Sequence, residues 1–197
     1  MQNFRFHCAG REPLLMHNAR LSDPLDEFSK AIKPISAKMK KTDEDHQRMA
    51  QLEFLGGLYY DDQLGPYLPG QNFERCLVDA AKITKAGKKI ERGVFITSNV
   101  NPVEYTGPRK PEELYEDRNF VSRASSKVQQ NRVMRTRPCF RQWEVYADGI
   151  FDPALINLAE LQQIAQTAGM MIGLGDWRPR YGRFTGTITE LGASDVA

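Results

Sequence analysis

Asn157 to Leu191 reads NLAELQQIAQTAGMMIGLGDWRPRYGRFTGTITEL, and its three parts decide the fold. Leu158, Leu161, Ile164, Ala165 and Ala168 fall on one helical face, with Asn157 before them and Glu160 at the capping-box position. That spacing predicts a helix which Gly169 ends. A glycine-rich loop follows, and Tyr181–Leu191 alternates well enough to be a last strand.

Working outward, two further helices can be read. Thr42 with Asp45 three residues on predicts a start, and Gly56-Gly57 a stop. Near Asn72 a second begins, because Phe73, Cys76, Leu77 and Ala80 form one apolar stripe, and Gly87 is placed to end it. Strand character appears in Gly93–Ser98, Arg132–Pro138 and Gln142–Ala147, and Phe4–Leu21 supplies a first strand broken at Gly10–Pro13. The resulting order is strand, helix, strand, strand, helix, strand. It predicts an α+β fold: a ferredoxin-like (RRM-type) βαββαβ core with an antiparallel sheet. Residues 1–197 form one domain in this reading, with 22–69 an inserted helical arm and 99–131 a long loop. Asn101–Pro111 reads as irregular, and Ser122–Gln130 (SRASSKVQQ) as a flexible basic arm.

Length and composition suit one buried core. No apolar run is long enough for a membrane span, and MQNFRFHCAGREPLLM has no signal-peptide pattern, so a cytoplasmic location without membrane contact is expected. Three distant cysteines, Cys8, Cys76 and Cys139, fit reduced core thiols better than a disulfide framework or a zinc site. The net charge is only +2, but charge is segregated. Arg118 to Arg141 carries basic residues and neither Asp nor Glu, and Lys82–Arg92 is a second basic cluster; acids gather in 43–62 and 104–117. Segregated charge of this kind can present one positive face.

Two segments carry a resemblance. Gly65–Ala81 (GPYLPGQNFERCLVDAA) is an extended piece, Pro69-Gly70 and a helix; Gly169–Phe184 (GMMIGLGDWRPRYGRF) is a helix end, a glycine-rich loop and a strand. They resemble the Pro-Gly-opened first helix and the glycine-rich loop of the RAMP superfamily, the CRISPR-associated backbone proteins that coat guide RNA. The resemblance implies a compact member of the kind found among phage proteins, binding single-stranded RNA or DNA without catalysis. It also implies assembly as a homo-oligomer or filament, with the 22–69 arm and the 101–117 loop as subunit contacts.

Glycines allow close backbone approach, arginines pair with phosphate and stack on bases, and aromatics give bases a surface. The nucleic-acid candidates are therefore Arg123, Lys127, Arg132, Arg135, Arg137 and Arg141, together with Gly173, Gly175, Trp177, Arg178, Arg180, Tyr181 and Arg183. Taken singly, Trp143, Phe184 and Trp177 are better read as core residues. The loop lacks the third glycine of a dinucleotide fingerprint and no P-loop occurs, so no cofactor is expected. Nor do the histidines form a metal-binding motif. His17 and Asp23 are the only residues comparable with the catalytic ones of RAMP ribonucleases, leaving a metal-independent endoribonuclease as a third reading. The second is a phage anti-defence protein whose acidic segments meet a protein partner.

Overall fold

The computed structural model describes residues 1–128 and 131–192; the side chains of Lys127, Val128 and Asn131 lie outside that description. In chain order the elements are β1 (Gln2–Gly10), β2 (Leu14–Leu15), α1 (Glu27–Ser36), α2 (Asp43–Gly57), β3 (Tyr60–Asp61) and β4 (Gly65–Leu68). Next come α3 (Gly70–Ile83), α4 (Gly87–Gly93), β5 (Val94–Ile96), β6 (Asn101–Glu104) and α5 (Pro111–Glu116). The chain finishes with β7 (Val121–Val128), β8 (Asn131–Phe140), β9 (Glu144–Phe151), α6 (Leu158–Thr167) and β10 (Phe184–Leu191). The architecture is α+β with antiparallel pairing. Among the described residues no helix is long and apolar enough to cross a membrane.

Two compact units emerge. The first comprises 1–14, 61–106 and 141–197; the second comprises 15–60 and 107–140. The 22–69 arm of the sequence reading thus contributes to both. The 99–131 segment is not a long loop: it contains β6, α5 and β7.

The first unit is built on a sheet in the order β10-β1-β9-β6-β4-β3, with β5 also paired to β9. Strand β1 alternates strictly. Phe4, Phe6 and Cys8 are fully buried, while Arg5 is exposed and His7 half-buried on the other face. Val145 and Ala147 of β9 and Phe184 and Ile188 of β10 join the buried face. Helix α3 offers Phe73, Cys76, Leu77 and Ala80 to that core, and the Phe73 ring meets Phe6 edge-on at 6.2 Å. Helix α6 buries Leu161, Ile164 and Ala165, and Gln162 ties it to β10 by donating to the Gly186 carbonyl and accepting from the Ile188 N–H. Asn157 caps α6 as read, accepting from the Glu160 N–H at 2.9 Å. Gly169 does not end this helix: a π turn runs over 168–172, and Gly173 at φ 83° stops it.

Helix α3 starts at Gly70, two residues before the expected Asn72. Pro69 provides the extended N-cap, and a Cβ at Gly70 would collide with the Ser98 carbonyl. Gly87 opens α4 rather than closing α3; the break lies at Lys85, a non-glycine residue at φ 62°.

The second unit pairs α1 and α2 with the β7–β8 ribbon. Thr42 and Asp45 form the anticipated capping box, each side chain bonding the other's backbone N–H. Asp26 caps α1, and Arg20 both pairs with Asp26 at 2.8 Å and lies over the Phe28 ring at 4.6 Å. Residues 122–128, expected to be a flexible arm, form strand β7, in register with β8 from Val121↔Pro138 to Val128↔Asn131. Phe120 meets Phe140 edge-on at 5.9 Å, and Phe54 of α2 lies 5.3 Å from Tyr115 of α5.

Candidate nucleic-acid interface

Register and pleat sort the basic residues of the ribbon. Arg123 stands opposite Thr136 and Ser125 opposite Met134, and these residues share one face with Arg132, whose register partner is Lys127. Arg123 and Arg132 are exposed and have no ion-pair partner among the described residues. The Lys127 side chain falls outside the described residues.

The opposite face is already engaged. Arg135 donates to Glu53 Oε1 at 2.6 Å, and Glu53 Oε2 accepts the Thr136 N–H at 2.9 Å. Glu53 is 5% exposed, so α2 closes this stretch of the β8 edge with one buried carboxylate. Arg137 donates to Ser126 Oγ at 3.3 Å. Of the ribbon candidates, Arg135 therefore has a structural partner that the sequence reading did not foresee. Arg141 is exposed at the start of the following turn, in the first unit.

Between α2 and the ribbon lies a cleft of about 320 Å³ lined by Lys41, His46, Met49, Ala50, Glu53, Arg123, Arg132, Val133, Met134 and Thr136. Its walls are largely apolar, with cations among the residues that line it. The sequence held no local sign of it, because its two walls are some eighty residues apart.

The glycine-rich loop 173–184 has a different character. Gly182 sits at φ 70°, and a Cβ there would drive into the Leu174 carbonyl. Its carbonyl accepts the Leu174 N–H, and its own N–H donates to the Pro13 carbonyl. The Gly173 carbonyl accepts from the Cys76 thiol at 3.2 Å and from Arg178 at 3.3 Å. Gly173 and Gly182 are thus accounted for by the loop's own close packing. Gly175, Trp177 and Arg178 line an open depression with Asp79, Met171, Ile172, Asp176 and Pro179. The Trp177 and Tyr181 rings are 5.6 Å apart. Arg183 pairs with Glu12 at 2.9 Å, while Arg180 is exposed without an ion pair among the described residues. Trp143, by contrast, is core: it is buried, donates to the Glu12 carbonyl and meets Phe184 at 6.3 Å.

The two catalytic candidates come out differently. Asp23 accepts the Leu25 N–H at 2.9 Å in a local turn, and His17 is exposed. All three cysteines are buried and unbridged. Burial pushes the Cys8 thiol well up and the Cys76 thiol to about 12, which keeps both protonated and poor nucleophiles. Among the described residues no group of His, Cys, Asp and Glu is arranged to hold a metal ion.

Sequence reading missed a polar cluster on the outer face of the first unit's sheet. His7 stacks on Tyr146 at 4.5 Å and 8°, and its Nε2 lies 2.9 Å from Glu144, while Arg5 forms a bidentate pair with Asp148. Each of these partners sits directly opposite or diagonally across β1 and β9, so strict alternation on both strands was the available signal. Its carboxylates set it apart from the acid-free ribbon. Compared with known proteins, the chain matches no family model and no curated sequence.

Proposed function

We propose that this protein binds single-stranded RNA or DNA without acting on it chemically, and that the β7–β8 ribbon is its principal contact surface. The observation that carries this reading is the pair Arg123 and Arg132, exposed on one face of a segment without acids and lacking an ion pair among the described residues. Guanidinium groups held this way are available to phosphate. The glycine loop adds Arg180 and the Trp177–Tyr181 pair as a secondary contact.

The order β10-β1-β9, with β5 antiparallel beside β9, α3 after β1 and α6 before β10, suits a ferredoxin-like βαββαβ core. The arrangement is compatible with a RAMP-like core; phage origin, assembly along a strand and a cytoplasmic location are further parts of the same proposal.

One observation favours a protein partner instead: Met170, Met171 and Trp177 are large apolar side chains left exposed in the first unit. Titration against labelled poly-pyrimidine DNA and RNA across salt concentrations separates the two readings. About five phosphate contacts, at about −0.7 each, give a log–log salt slope near −3.5. Absence of binding at low salt, with capture by a protein partner, would favour the second reading.

A further inference from the structure

The cleft between α2 and the β7–β8 ribbon has the wrong shape for phosphate contact alone. A bare anion needs no apolar wall, yet Met49, Ala50 and Met134 are among the residues that line it. Its volume, about 320 Å³, lies at the lower limit of small-molecule sites, which run from about 300 to 1,000 Å³. Thioethers are polarisable and pack well against the edge or face of a flat aromatic ring. At the same cleft stand Arg123 and Arg132, whose guanidinium groups have no carboxylate partner among the described residues. Glu53, the one carboxylate lining the cleft, is already paired with Arg135 and the Thr136 N–H, so its charge is locally offset. An apolar slot beside two uncompensated guanidinium groups fits an aromatic base joined to a phosphate.

We propose that this cleft seats one nucleotide unit, its base on Met49 and Met134 and its phosphate against Arg123 and Arg132. The inference rests on the strand-binding reading and goes further, since it converts a charged surface into a defined pocket. It makes the ribbon a site that takes a base out of the strand, rather than a rail that follows the backbone.

The test uses the whole chain with methyl-labelled methionine, of which there are seven, observed by NMR during addition of nucleoside monophosphates. Met49 and Met134 resonances should shift with a nucleoside monophosphate, and the shifts should vanish in the double variant Arg123→Ala, Arg132→Ala. Met134→Ala, at a side chain 47% exposed and so tolerant of change, should weaken the mononucleotide about two- to tenfold. Equal shifts with inorganic phosphate alone would reduce the cleft to an anion site and overturn the proposal. Silence at Met49 and Met134, while a labelled oligonucleotide still binds, would overturn the pocket and leave strand binding standing. If neither mononucleotide nor oligonucleotide binds, both readings fall together.

Discussion

Arg132 in the β7–β8 ribbon and Arg183 in the 173–184 loop look alike in the sequence, each a basic residue amid aromatic or flexible neighbours. In the folded chain Arg183 reaches Glu12, and Arg178 beside it donates to the Gly173 carbonyl. Arg123 and Arg132 reach nothing among the described residues. The loop's glycines are equally committed, since Gly182 is where its carbonyl and N–H lock Leu174 and Pro13 in place. Availability, not composition, distinguishes a binding arginine from a structural one. A cation already bonded inside the protein must give up that bond before it can take a phosphate.

The largest effect that would sharpen the contrast is on the loop side. Gly182→Ala forces a left-handed conformation on alanine and pushes its Cβ into the Leu174 carbonyl; the expected loss is about 2–5 kcal/mol of stability. Urea unfolding measures it, and a loss below about 1 kcal/mol would mean that the loop adapts and its glycines serve another purpose. Next comes Glu53→Ala, which leaves Arg135 without its partner and the Thr136 N–H unsatisfied, at about 2–3 kcal/mol by the same measurement.

On the ribbon side, changing Arg123 and Arg132 together to Ala should flatten the salt slope by about 1.4, at about 0.7 per lost contact. Stability should stay within about 0.5 kcal/mol, because neither side chain has a partner to lose among the described residues. The smallest binding effect belongs to Arg183→Ala, whose slope should match that of the unaltered chain. A larger change there than on the ribbon would reverse the assignment of primary surface.

Both units should be acid-sensitive, since Asp26 and Asp45 in the second and Asp61 and Asp79 in the first all have carboxyls held below the usual range. The Lys38 hydrogen bond and the Thr42 N–H hold the Asp45 carboxyl below the usual range. At Asp26 burial pushes upward but is outweighed by the Arg20 hydrogen bond and charge and by the Phe28 N–H. Both carboxylates therefore contribute stability above an unfolded pKa of about 3.9 and lose it as pH falls through their lower folded values. Thermal midpoints followed downward from about pH 5 should fall less steeply in Asp45→Asn than in the unaltered chain.

What could be read in advance was local. The Thr42–Asp45 box, the Asn157 cap and the Phe73–Cys76–Leu77–Ala80 stripe each lie within a turn or two of chain, where short-range geometry dominates. The 122–128 segment failed because Ser, Ala and Lys are weak strand formers; β7 exists through its pairing with β8, not through propensity. Pro102 made 101–104 look irregular, although Asn101 anchors that strand by donating to the Leu68 carbonyl at 3.0 Å. At the ribbon, position and charge were legible. The pairing of Arg135 with Glu53 was not, because 82 residues separate them.

That separation also sets a schedule. During synthesis at about 5–20 residues per second, Glu53 waits about 4–16 s before Arg135 leaves the ribosome. Strand β1 waits longer still, since Asn3 pairs with Leu191 at the far end of the chain. For most of that interval Phe4, Phe6 and Cys8 have no sheet to enter. Until the last strand arrives those side chains lack their burial site, and slower translation lengthens their exposure to aggregation.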